Sequence, residues 1–184
     1  MPNWCFNRLT VDTTNESGKL LSEAFRPKYK YEDSDDLYAR PFNDLMPCPE
    51  DLHCDAGFFG QGSDKEKEMQ ALYAKNKEKY GYEHWYDWQV ANWGTKWDAR
   101  VEDFDDDNPE DVMIYFDTAW SPPIEFLRWF SEQHPDVSFE MEYDEEGMSF
   151  EGKCSNCLEL GFIDECWDIG AEEKWLKENE SEED

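Results

Sequence analysis

Between residues 137 and 144, apolar and polar side chains alternate without a break. Val137, Phe139, Met141 and Tyr143 fall on one parity, and Ser138, Glu140, Glu142 and Asp144 on the other. A period of two belongs to an extended strand whose successive side chains point to opposite faces. One face of this strand must be buried. The other is acidic and must meet solvent or a partner. The pattern therefore demands a sheet with a wet, negatively charged face and an apolar layer behind it.

The apolar layer has to be aromatic. The 184 residues include 9 Trp, 9 Tyr and 12 Phe, and a net charge of -29 surrounds them. Low hydropathy with high net charge ordinarily marks disorder. Aromatic side chains bury ~150–250 Å² each, however, so a few of them make a core. The chain is long enough for one domain with a sizeable core. No stretch approaches the ~18 apolar residues of a membrane span, and the first ten residues lack the basic start and apolar run of a secretory leader. We expect a cytoplasmic protein. A field of this sign also argues against direct nucleic-acid binding through phosphate neutralisation. The acidity is uneven: residues 93–184 hold 29 acids and 6 bases, against 17 and 11 in residues 1–92.

Other elements follow from local signals. Residues 3–11 and 112–120 are rich in aromatic and β-branched residues and predict strands, with Ile114, Phe116 and Trp120 on one face. Leu20, Leu21, Ala24 and Phe25 predict a helix over 16–26, and Ile124, Leu127 and Phe130 one over 122–133. Ser63 and Glu66 form a capping box ahead of a helix over 64–80 that Gly81 stops. Residues 28–63 show no period and are expected as a long loop. Residues 90–101 predict a strand with Gly94 at a bend, residues 103–111 an acidic turn, and residues 148–153 a return strand. A last helix over 171–179 precedes an acidic tail. The order β-α-(insertion)-β-β-α-β is that of a ferredoxin-like α+β sandwich with a four-stranded antiparallel sheet. We expect that domain over 1–153, with the insertion at about 28–89 and a C-terminal extension over 154–184.

Several motifs occur together: residues 1–5 (MPNWC), Asn92-Trp93-Gly94-Thr95-Lys96-Trp97, Thr118-Ala119-Trp120-Ser121-Pro122-Pro123, and Tyr143-Asp144-Glu145-Glu146-Gly147, with Phe42-Asn43 through Pro47 and Pro49. Over roughly residues 1–153 they resemble the YubB-type ferredoxin-like domain family of plasmids and bacteriophages. The resemblance implies the same fold and a mobile-element origin. It implies no reaction.

Motifs for catalysis are weak. Cys154 and Cys157 form a CxxC with Cys166 beyond it, and Cys48, His53 and Cys54 lie far upstream. A zinc ribbon would show a second close pair, so no metal site is expected. The CxxC follows a strand in acidic surroundings, which raises thiol pKa values rather than lowering them. His53, His84 and His134 sit in no nucleophilic frame. The glycines at 57, 60 and 62 lack the lysine of a phosphate loop. Asp103 to Asn108 lacks the glycine and terminal glutamate of a calcium loop. No cofactor is expected.

What remains is charge. Self-repulsion of this size costs stability, and a basic partner surface is the simplest compensation. The expected function is a non-enzymatic nucleic-acid mimic. It would inhibit a host defence or recombination nuclease by occupying its basic surface. The expected contact residues are Glu140, Glu142, Asp144, Glu145 and Glu146, joined by Asp105, Asp106 and Asp107, with Tyr143 or Trp167 as aromatic anchors. The alternative is a pocket for a nucleotide signal built from Trp93, Lys96, Trp97 and Trp120.

Overall fold

A computed structural model describes residues 3–57 and 59–169. The helix expected over 171–179 and the acidic tail lie outside the described residues. The elements in chain order are β1 (Trp4–Asp12), α1 (Glu16–Phe25), β2 (Tyr29–Lys30), β3 (Leu37–Tyr38), α2 (Pro41–Leu45), a short 3-10 turn (Glu50–Leu52), α3 (Asp64–Tyr80), α4 (Trp85–Trp93), β4 (Arg100–Asp105), β5 (Asp111–Ala119), α5 (Ile124–Gln133), β6 (Phe139–Glu145), β7 (Phe150–Cys157) and β8 (Gly161–Asp168). Six strands form one antiparallel sheet in the order β4-β5-β1-β6-β7-β8. Its first four strands, with α1 and α5 as the crossovers, have the ferredoxin-like topology.

Helices α1 and α5 cover one face. Leu9, Leu21, Phe25, Phe116, Leu127 and Phe130 are buried there in one cluster with Phe42, Trp93 and Phe126. Helix α1 starts where the Asn15 side chain accepts the Gly18 N–H at 2.7 Å. Helix α3 starts at the capping box: Ser63 accepts the Glu66 N–H at 3.1 Å, and the Glu66 carboxylate reaches back to the Gly62 N–H. Among the described residues of α3 only Met69 and Asn76 are buried. Asn76 secures the helix by donating to the carbonyls of Asp51 at 3.1 Å and Glu83 at 3.0 Å.

Four expectations are corrected. Residues 85–93 are helical, and the strand expected over 90–101 begins only at Arg100, running through part of the expected acidic turn. Gly94 is not a strand bend. It caps α4 at φ 83°, a left-handed conformation that favours glycine. The loop expected over 28–63 contains the hairpin β2-β3, α2 and the 3-10 turn. Finally, the sheet does not end at residue 153: β7 continues to Cys157, and β8, in the expected extension, forms its sixth strand.

Candidate functional site

The register fixes which side chains share the face opposite the helices. One row across the sheet is Arg100, Asp117, Phe6, Asp144, Glu151 and Trp167. A second is Asp103, Tyr115, Arg8, Glu142, Lys153 and Glu165. A third is Asp105, Met113, Thr10, Glu140, Ser155 and Ile163. Among the described residues no helix covers this face. Phe6 is 50% exposed and Tyr115 39%. A cleft of about 720 Å³ crosses it, lined by side chains of all three signs: apolar Phe6, Tyr115 and Trp167, cationic Arg8, Arg100 and Lys153, and the acids Glu102, Asp117, Glu142, Asp144 and Glu151.

The cations are held by the protein's own acids. Arg100 pairs with the buried Asp117 and, at 2.7 Å, with Glu102, while its guanidinium lies 4.5 Å over the Trp4 ring. Arg8 pairs with Glu142, which also has Lys153 at 3.7 Å. Burial pushes the Asp117 carboxyl above its ordinary range by more than Arg100 pulls it down. The Asp144 carboxyl is also raised, first by burial and then by repulsion from Glu146, Glu151 and Glu145.

The structure sorts the acids singled out by sequence. Glu140, Asp144 and Asp105 stand on the open face, with Asp105 and Glu140 in one row, and Glu146 is exposed in the turn beyond it. Among the described residues none of these four has a cation within 4.0 Å. Asp106 pairs with Arg26 at 2.9 Å, and Asp105 accepts the Asp107 N–H at 3.0 Å. Three expectations change, the first being Asp106, which Arg26 neutralises. Glu142 is neutralised by Arg8 and Lys153. Glu145 does not point outward: it is 1% exposed, and its carboxylate accepts the N–H groups of Gly147 and Met148 inside the turn. The negative surface is therefore split by a cationic seam through Arg100, Arg8 and Lys153, which sequence reasoning missed. Tyr143, expected as a rim anchor, is buried on the helix side. Trp167 is on the open face, with its indole N–H donating to Glu151 at 3.0 Å.

The tryptophan pocket does not assemble as expected. Trp93 is 2% exposed and donates to the Met46 carbonyl at 3.0 Å, so it is a core residue. Trp97 packs 6.2 Å from Trp4, with Lys96 4.5 Å over its ring. It borders a separate cavity with His53, Cys54, Asp55, Trp85 and Gln89. Trp120 is half-exposed after β5 at φ 76°. Among the described residues no group of three or more His, Cys, Asp or Glu side chains is placed to hold a metal ion. Burial pushes the Cys48 thiol up to about 11 and the Cys154 thiol further.

Residues 92–183, half of the chain, match the family model described as the ferredoxin-like domain in Api92-like protein. The chain belongs to that family. The Api92-like match takes in every strand of the large sheet except β1, which lies between β5 and β6. Among solved structures, the crystal structure of protein api92 from Yersinia pseudotuberculosis is similar at a TM-score of 0.43 and 12% identity, over 90% of this chain and 98% of that one. No curated protein matches the chain. Among the described residues no helix is long and apolar enough to cross a membrane.

Proposed function

We propose that this chain is a non-enzymatic, acidic docking protein of a plasmid or bacteriophage, as its YubB-type motifs imply. In the host cytoplasm it occupies the basic, nucleic-acid-binding surface of a defence or recombination nuclease. The open sheet face is the contact surface. The observation that carries this reading is the row joining Asp105 to Glu140. It sets two carboxylates that have no counter-cation among the described residues three strand spacings apart, about 14 Å, on a rigid sheet. Asp144 lies two further open-face positions along β6. A spacing of this size is comparable with the ~12 Å major-groove width of duplex DNA, so carboxylates stand in for phosphates. Phe6 and Tyr115 add apolar area near the centre of the sheet, where interfaces gain most of their affinity, and Trp167 adds more at its β8 edge.

An anionic nucleotide is disfavoured in the same cleft, because five acids outnumber the three cations and hold them. The reading is tested by capture from host lysate. Captured proteins should be basic nucleic-acid binders released by salt and by competing duplex DNA. Replacing Asp105, Glu140 and Asp144 with lysine should abolish their capture. Capture that ignores DNA, salt and these substitutions refutes it.

A further inference from the structure

The row through Phe6 is built twice from the same chemistry and completed once. On one side of Phe6 stands Asp117, whose carboxylate is met by Arg100, and the Arg100 guanidinium lies over the Trp4 ring. On the other side stands Asp144, followed by Glu151 and the Trp167 indole. There Asp144 neighbours Phe6, and Glu151 accepts from the Trp167 indole. Yet among the described residues no cation comes within 4.0 Å of Asp144, and its carboxyl is raised by burial and by three neighbouring acids. The cleft opens directly above these residues.

We propose that this half of the cleft receives an arginine side chain of the docked partner, its guanidinium paired with Asp144 and lying against Phe6, with Trp167 at the far end of the floor. The assignment rests on the docking reading above and names its anchor. Arginine suits the position better than lysine. Its planar fork bonds a carboxylate at two points, and its face stacks on aromatic rings as Arg100 does on Trp4. Phe6 and Trp167 stand three strand spacings apart, about 14 Å, at the two ends of a floor made by Asp144 and Glu151. A guanidinium entering between them replaces a repelled carboxylate by a paired one. An anionic group entering there would add to the repulsion.

The test titrates the full chain with N-acetyl-arginine amide and follows the Trp167 indole N–H by NMR, assigned by its loss in Trp167→Phe. A saturable shift is expected, weaker by roughly tenfold or more in Asp144→Asn, as loss of a charge-assisted bond implies. The lysine analogue should bind more weakly and the neutral citrulline analogue should give no shift. Should Asp144→Asn fail to fold, Phe6→Ser at the exposed wall must also weaken the shift. No saturable shift, an equal response to citrulline, or indifference to both substitutions overturns the anchor. A DNA-competed partner that binds wild type and Asp144→Asn alike also overturns it while leaving docking intact. Arginine binding as described, with a captured partner that duplex DNA does not displace, keeps the arginine site and overturns the nucleic-acid-surface reading instead.

Discussion

Tyr143 lies across Gly152 on the neighbouring strand so closely that a β-carbon on residue 152 would run into the phenol ring and the Glu165 carbonyl. The Tyr143 hydroxyl then donates to the Asp164 carboxylate on β8 at 3.1 Å. A side chain of β6 thus crosses β7 to bind β8, and glycine at 152 is what lets it pass. Gly152→Ala should cost about 1–3 kcal/mol, the range for overpacking a filled site. Tyr143→Leu in the same chain should recover part of the loss, since the collision partner is gone. Urea denaturation of the two single variants and the double variant measures this. Additive losses would show that the two residues do not compete for the same space.

The turn after β6 depends on Glu145. Its buried carboxylate accepts the Gly147 and Met148 N–H groups. Glu145→Ala orphans both donors and should destabilise by roughly 1–3 kcal/mol. Glu145→Gln keeps one acceptor oxygen and should lose less. Glu146→Ala, exposed in the same turn, should change the melting temperature little. Equal effects at 145 and 146 would contradict the buried clip.

Stability should rise as pH falls from neutral, the reverse of ordinary acid sensitivity. Asp98 accepts the N–H groups of Phe42, Asn43 and Ala99 at 3.1, 3.0 and 2.9 Å, yet burial pushes its carboxyl up to about 6. Asp117 and Asp144 are raised too, first by burial. A carboxyl with a raised folded pKa binds its proton more tightly in the native state than in the unfolded one. Unfolding therefore becomes harder as pH falls through about 6 towards the unfolded value near 3.9, by on the order of 2 kcal/mol from Asp98. Asp12, held low by the Thr14 hydroxyl and N–H, acts the other way and loses its contribution below about pH 4. The melting temperature should therefore climb from pH 7.5 to about 5 and fall below 4. Asp98→Asn should flatten the climb. A temperature that falls steadily from pH 7.5 would contradict the burial of these acids.

Elements with a local signature were legible in the sequence. The alternation at 137–144 is β6, and the Ser63–Glu66 box with Gly81 brackets α3. Helix α4 was not, because Trp85, Trp88 and Trp93 have strand-like chemistry. Its helicity comes from tertiary packing, with Trp88 edge-on to Trp93 at 5.8 Å, and from the left-handed Gly94. Strand β8 lacks a buried parity because it is an edge strand with most of its residues exposed, so no period of two marks it. For the site, the acids were visible and their neutralisation was not. Arg8 meets Glu142 across 134 positions of sequence, a register effect that no local pattern carries.

The central claim is that the open-face carboxylates compete with nucleic acid for a basic partner. The most direct measurement is the partner's affinity against salt and against duplex DNA. It compares wild type with a variant carrying Asp105→Lys, Glu140→Lys and Asp144→Lys, and with a control carrying Glu32→Lys, Asp33→Lys and Glu78→Lys, exposed acids away from the sheet. Glu142 is left unchanged because its reversal would set three cations together. The account predicts steep loss of affinity with salt, mutually exclusive binding of protein and DNA, and loss of at least a hundredfold in affinity in the sheet variant alone. Equal loss in both variants, or a partner that binds this protein and DNA together, would contradict it.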